Sequence, residues 1–437
     1  MQVALIGAGN MGISWGGAAL LAGHDLIVID KDRTKLEAWE SGKLFEGEES
    51  CWNGIDYKRA YITNDLAYVA DAEIIFIAVQ TPSIVPEGSE YEVCDFSALT
   101  GLLKDLAPIL KKGQILILGS TVFPGTIAKH VLPALKDCEA QFVYQPVFLR
   151  AGAGVTDFLH PPKIVLGMGP LKSWQREIGR PNDKLDKFIR SVTWNETEQS
   201  RCSYEEAEFV KLMHNTYMCL KINFANELGD LCDHFGVDPT IVTHLTFCES
   251  SAGRLLTLSH MKAGPPFSGT CLPKDSAILR GILLENLISH RCPTLALANL
   301  HNRDRIQRIY REAADHDDVN TLGMIGMGYR PGYPDARHSL AVEFFALAEG
   351  DDVGIHFWDP IFSDTDDVTL DLMVRGDAEA AELMHNLTAN VDDLLETSDA
   401  IIVNMRLQPE VFAKVLDYKL SGKRVVDLYR NGLHTNG

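Results

Sequence analysis

Val3-Ala4-Leu5-Ile6-Gly7-Ala8-Gly9-Asn10-Met11-Gly12 decides the fold class of this chain. The four apolar residues read as a strand, and the segment that the last glycine opens reads as a helix. Each glycine of the loop between them has its own reason. Gly7 permits the tight turn, Gly9 lets the backbone approach a pyrophosphate, and Gly12 lets helix pack on strand. The amide end of the helix then faces the phosphates. Asp30 closes the second strand-like run, twenty-three residues after Gly7. A carboxylate there can accept both hydroxyls of a ribose and would repel a 2′-phosphate, so the expected cofactor is NAD.

Outward from this unit, the first half alternates short apolar runs with amphipathic segments. Strands are expected at 2–6, 26–30, 73–79, 115–119, 142–145 and 163–167. Continuous apolar runs suit a parallel sheet covered on both faces. The loops Val79-Gln80-Thr81-Pro82-Ser83 and Gly119-Ser120-Thr121-Val122-Phe123-Pro124-Gly125-Thr126 fall at the carboxyl edge of that sheet, where ligands bind. Segment 170–200 is more polar, with a loop at Gly179-Arg180-Pro181-Asn182. Ser203-Tyr204-Glu205-Glu206 then has the form of a capping box. Apolar residues recur at helical spacing through Phe209, Leu212, Tyr217, Leu220, Phe224, Leu228 and Leu231, up to a C-cap at Gly236. A helix of that length can bridge domains or subunits. Strand-like runs return at 321–326, 353–358, 400–404 and 424–428.

The expected architecture is therefore α/β: two Rossmann-like doubly wound parallel-sheet domains joined by a long central helix and a helical middle domain. The expected boundaries are 1–200, 201–300 and 301–437.

Composition narrows the function. At 437 residues, 46% hydrophobic and 23% charged, the chain is globular and long enough for several cores. A formal charge of −20 argues against nucleic acid as a partner. Local donors can still hold a small anion. No apolar run is long enough for a membrane span. The strand-like opening leads us to expect no signal peptide. Nine cysteines without CxxC or zinc spacing predict no metal and a reducing compartment, the cytosol.

The stretch Phe267-Ser268-Gly269-Thr270-Cys271-Leu272-Pro273-Lys274-Asp275 sets a cysteine among small residues, a lysine and an aspartate. Such surroundings can make a thiol nucleophilic, although a lone cysteine is more often buried and inert. Here the sequence resembles the UDP-glucose/GDP-mannose dehydrogenase family, whose Gly-Gly-Ser-Cys-x-x-Lys-Asp loop this stretch matches with small changes. The resemblance runs nearly the whole chain. It takes in the glycine fingerprint, Thr81-Pro82-Ser83, Ser120-Thr121, Pro124-Gly125-Thr126 and Phe148-Leu149-Arg150. It continues through Glu208, Lys211, His214-Asn215, Lys221 and Asn226-Glu227, then Gly326 to Arg337 and Asp427-Leu428-Tyr429-Arg430-Asn431.

The resemblance implies NAD-dependent oxidation of a nucleotide sugar at its C6 hydroxymethyl, and a homodimer. Cys271 would be the nucleophile, Asp275 would help activate water, Lys211 would stabilise the alkoxide with Asn215 beside it, and Thr121 would hold a water. It implies cofactor contacts from Gly7, Gly9, Asn10, Met11, Gly12, Asp30, Lys35, Thr81, Pro82, Ser120, Thr121, Lys274 and Arg337. Substrate contacts would come from Phe148, Leu149, Arg150, Lys211, Asn215, Arg254, Phe267, Gly269, Tyr329, Arg330 and Arg430. Ser259 to Gly264, His214-Asn215 and the Leu-Pro-Lys-Asp after Cys271 look closer to the GDP-mannose branch than to the UDP-sugar branch.

The chain also departs from the pattern. The family's Asn-Pro-Glu-Phe-Leu segment reads Gln145-Pro146-Val147-Phe148-Leu149, so Val147 stands in place of a catalytic glutamate and cannot accept a proton. Pro266, Ser268 and Arg330 also differ from the usual residues, and no Pro-Ile-x-Glu-Pro segment appears around 43–50. Three readings follow: a complete four-electron dehydrogenase, a divergent enzyme whose thioester is diverted, and a non-catalytic nucleotide-sugar-binding protein.

Overall fold

The strand that opens the chain, β1 (Gln2–Ile6), sits inside an eight-stranded sheet. The structure is a computed structural model and describes all residues except 43–54, 151, 170–182, 195–196, 248–259, 331, 334, 364–377 and 434–437. Two compact units divide the chain, Met1–His214 and Asn215–Gly437.

In the first unit, β1 pairs in parallel with β2 (Asp25–Ile29) on one side and β4 (Ile74–Ile77) on the other. β3 (Ala60–Thr63) extends the sheet beyond β2, and β7 (Ile115–Leu118) and β8 (Gln141–Tyr144) extend it beyond β4. A two-stranded hairpin, β5 (Ser83–Ile84) with β6 (Val93–Cys94), stands apart. β9 (Ile164–Gly167) turns antiparallel to β8 and carries β10 (Gln199–Cys202) beside it. Alternation along β1 explains the apolar run. Val3 and Leu5 join Trp15, Phe76 and Phe188 on one face, and Ala4 and Ile6 join Leu99, Leu103 and Ile127 on the other. β3 and β10 escaped the sequence reading because they are short and half exposed, without an apolar run.

The second unit holds a four-stranded parallel sheet: β12 (Gly354–Trp358), β11 (Thr321–Ile325), β13 (Ala400–Val403) and β14 (Arg424–Asp427), in that order. It too has a core on each face. Helices Leu272–Glu285 and Pro293–Ala314 precede it. The expected α/β class, with two sheets that are parallel apart from the β8–β9 pairing and with a long helix, is the one observed.

The long helix spans Tyr204–His234. Its capping box closes: the Ser203 amide donates to Glu206 Oε2 at 2.9 Å, and the Glu206 amide to Ser203 Oγ at 3.1 Å. At its other end Gly236 adopts φ +65°, its amide donating to the Asp233 carbonyl at 3.1 Å, and the Val237 amide donates to that of Cys232 at 2.9 Å. Those two bonds make a Schellman motif.

Candidate active site

β1 ends at the point where the winding of the first sheet reverses, and the glycine loop occupies that point. Gly7 has φ +103°, and a Cβ there would lie 2.5 Å from the Ala78 carbonyl oxygen. A Cβ on Gly9 would meet nothing, so the surface over the loop is open where a pyrophosphate would lie. Gly9 caps the helix Asn10–Leu21 without a side-chain bond, and Asn10 Oδ1 is buried with no partner. Asp30 shapes the loop, accepting from the Ala8 amide at 2.7 Å and the Asp32 amide at 2.9 Å. Lys35 stands 4.0 Å from it. Two amides leave a carboxylate with lone pairs to spare, so these residues fit a dinucleotide. Thr81 Oγ1 donates to the Thr121 carbonyl at 2.8 Å and Ser120 Oγ to that of Val79 at 2.7 Å, stitching the two neighbouring loops together. Beneath them Glu208, fully buried, accepts the amides of Gly125 and Ile127 at 2.7 and 2.8 Å.

Lys211 lies buried in the same unit, donating to the Val147 carbonyl at 2.7 Å, with Phe148 beside its ammonium. The Val147 side chain packs against the apolar cluster of Trp15 and Phe188. Residue 147 thus reaches Lys211 through its backbone. Lys163, which the sequence reading passed over, stands 3.3 Å from His214 Nδ1 and over the Phe148 ring. Burial and the charge of Lys211 hold its ammonium below the usual range. Leu149 packs against the same apolar cluster, and Arg150 is exposed and gripped by Asp157.

In the second unit Cys271 is exposed and caps the helix Leu272–Glu285, whose first turn favours negative charge. Thr270 Oγ1 lies 3.7 Å from its sulfur. Two asparagines hold the preceding loop. Asn302 takes the Phe267 amide and donates to the Phe267 carbonyl, each at 2.8 Å, and Asn226 takes the Gly264 amide at 2.8 Å. Gly269, at φ +84°, donates its amide to the His338 carbonyl at 2.7 Å. A Cβ there would sit 2.8 Å from the Tyr329 ring. Burial raises the Tyr329 phenol far above its ordinary value, with Tyr333, Asp335 and Cys271 adding to the shift. Asp275 accepts from Asn215 Nδ2 at 2.6 Å and pairs with Lys274 at 2.9 Å. Within this unit Cys271, Asn215, Asp275, Lys274, Gly269 and Tyr329 therefore belong to one neighbourhood.

Three of the expected arginines, Arg150, Arg337 and Arg430, are held by carboxylates. Arg337 forks onto Asp335, and Arg430 onto Asp233 at 2.8 and 2.7 Å. No spacing rule pointed to Asp233 or Asn302, because each acts on a residue that only folding brings near; Asp335 and Asp157 hold arginines close by in sequence and carry no motif of their own. Arg254 and the loop 179–182 lie outside the described residues. Among the described residues no cluster of His, Cys, Asp or Glu is placed to hold a metal, and no helix is long and apolar enough to cross a membrane.

The glycine loop is repeated in the second unit. Gly326, at φ +96°, follows β11, and Asp359, following β12, accepts the Met327 and Ile361 amides at 2.9 Å each. Burial raises this carboxyl above the usual carboxylate range, against the pull of the backbone amides around it.

A glycine loop open to a pyrophosphate and a strand-end acid with spare lone pairs define the first unit as that of an NAD-dependent oxidoreductase. Residues 1–178 match the NAD binding domain, and residues 205–300 the central domain, of the UDP-glucose/GDP-mannose dehydrogenase family. The chain belongs to that family, whose members are nucleotide-sugar dehydrogenases. It is 27% identical over 373 residues to a UDP-glucose 6-dehydrogenase of Rhizobium meliloti (strain 1021), covering 82% of each chain. To a GDP-mannose 6-dehydrogenase of Pseudomonas savastanoi pv. phaseolicola it is 26% identical over 461 residues, covering 100% of this chain and 97% of the other. In fold it is similar to a UDP-glucose dehydrogenase from Pyrobaculum islandicum, with TM-score 0.76 and 22% identity over 99% of this chain and 95% of that one.

Proposed function

We propose that the chain oxidises the C6 hydroxymethyl of a nucleotide sugar to the acid through a covalent intermediate on Cys271. The observation that carries this reading is an exposed thiol on a helix N-terminus, in a loop clamped by Asn302 and Gly269. NAD, when bound, supplies the hydride acceptor for each of two oxidations. The first oxidation takes a hydride from the C6 carbon and a proton from its hydroxyl, and leaves an aldehyde. The Cys271 thiolate adds to the aldehyde carbon and makes a tetrahedral thiohemiacetal, from which a second hydride can leave. Lys211, fixed by the Val147 carbonyl, stabilises the developing alkoxide. Loss of the second hydride leaves a thioester. Water cleaves it, aided by Asp275 and by the water that Thr121 holds, freeing the acid and restoring the thiol.

GDP-mannose is the favoured substrate. The alignment to the GDP-mannose 6-dehydrogenases runs the full chain, whereas that to the Rhizobium UDP-glucose 6-dehydrogenase covers 82%. The apolar seat of the Val147 side chain supports a second reading, in which hydrolysis is slow and acyl-enzyme accumulates. We also infer a homodimer. Phe209, Tyr217, Phe224 and Leu231 of the long helix are 50–58% exposed, an apolar stripe that a second copy would cover.

The test is NADH yield per sugar across GDP- and UDP-sugars, with intact-mass analysis of the enzyme. Two NADH per sugar and an acid product support the complete reaction. A persistent adduct on Cys271 supports the second reading, and no absorbance change with any sugar overturns both.

A further inference from the structure

The winding of the second sheet reverses between β11 and β13, so the loops leaving those two strands flank its ligand crevice. β11 leads to Gly326-Met327-Gly328-Tyr329-Arg330, and β13 to Asn404-Met405-Arg406-Leu407. The two loops are pressed together. A Cβ on Gly326 would lie 3.0 Å from both the Asn404 carbonyl oxygen and Met405 Cβ, and Asn404 Nδ2 donates to the Gly326 carbonyl at 3.2 Å. From the other side Asn431 grips the backbone on both flanks of Arg406. Its Nδ2 donates to the Met405 carbonyl and its Oδ1 accepts the Leu407 amide, each at 3.0 Å. Asn431 is itself held by buried Asp427, to which it donates at 2.9 Å.

This chain of contacts fixes the peptides around Arg406 while its side chain stays exposed. Among the described residues no carboxylate pairs with it, whereas Arg337 and Arg430 each have one. Arg406 and Arg330 both act on the Tyr429 phenol, which burial pushes up to about 12 against their pull. Arg330 and buried Lys221 act together on His260. In a chain of net charge −20, two guanidinium groups, one from each loop, thus bear on the same ring.

We propose that Arg406 is a substrate-binding residue: with Arg330 on the facing loop, it takes the diphosphate oxygens of the nucleotide sugar. The planar fork of a guanidinium matches a phosphate bidentately, and a pre-fixed backbone lowers the ordering cost. The proposal rests on the reading of the substrate as a nucleotide sugar and adds a residue on which no motif bore.

Equilibrium binding of GDP and UDP to the full chain tests it without turnover. Arg406→Met should weaken both about ten- to a hundredfold, as loss of a charge-assisted pair does. Arg406→Lys should recover part of that, and NAD affinity should not move in either variant. GDP and UDP affinities within twofold of wild type in Arg406→Met would overturn the proposal alone. Failure of wild type to bind either diphosphate would overturn it together with the nucleotide-sugar reading.

Discussion

Cys271 is exposed, while Cys219 is sealed in the unit behind it and burial pushes its thiol up to about 12. The two thiols therefore differ sharply in what they can do, since the thiolate is the nucleophile. Cys271→Ala is expected to yield no acid and no covalent adduct, with at most one NADH per sugar. Cys219→Ala should keep two, read by absorbance and intact mass. Gly269→Ala would force a left-handed conformation on alanine and drive its Cβ into Tyr329. The backbone strain alone costs about 1–3 kcal/mol. We expect loss of activity with NAD affinity retained, which a titration of each variant measures.

At the scale of elements, buried carboxylates and amides hold loops to helices. Burial pushes Glu208 up to about 7 from the ordinary 4.5, against the pull of the Ile127 and Gly125 amides. A raised carboxyl means the folded chain keeps a proton that the unfolded chain gives up. Its contribution to stability is then complete below the ordinary value and is lost as pH rises through about 7. Glu208→Gln should flatten the fall in Tm over that window. It should also lower Tm throughout, because one amide oxygen cannot serve both backbone donors, and an unsatisfied buried group costs about 1–3 kcal/mol. Asn302→Ala would orphan both the amide and the carbonyl of Phe267, at a similar cost for each. Thermal melts with NAD titrations would separate a loosened Cys271 loop from global unfolding.

These clamps mark the limit of what the sequence discloses. The glycine fingerprint, the buried strands, the capping box and the Schellman glycine follow from local pattern, since each depends on neighbours within a few residues. Asn302 reaches Phe267 across thirty-five residues, and Glu208 reaches Gly125 across eighty-three. No periodicity encodes such distances. The resemblance named Glu208 without its role and left Asn302 and Asn431's hold on Arg406 unread. Val147 looked like a lost base, and the structure adds that its backbone carbonyl still holds Lys211.

For the whole molecule, the long helix carries its apolar stripe at seven-residue intervals, Tyr217, Phe224 and Leu231. Seven residues are about two helical turns, so these side chains share one face. Phe224→Asp with Leu231→Asp is expected to convert a dimer to monomers by sedimentation velocity while the far-ultraviolet circular dichroism stays unchanged. A wild type that sediments as a monomer at micromolar concentration would overturn the dimer. The two sheets share one loop design, a turn glycine after the first strand answered by an acid at the end of the next. Asp30 accepts the amides of Ala8 and Asp32, and Asp359 those of Met327 and Ile361, so each carboxylate holds two backbone donors.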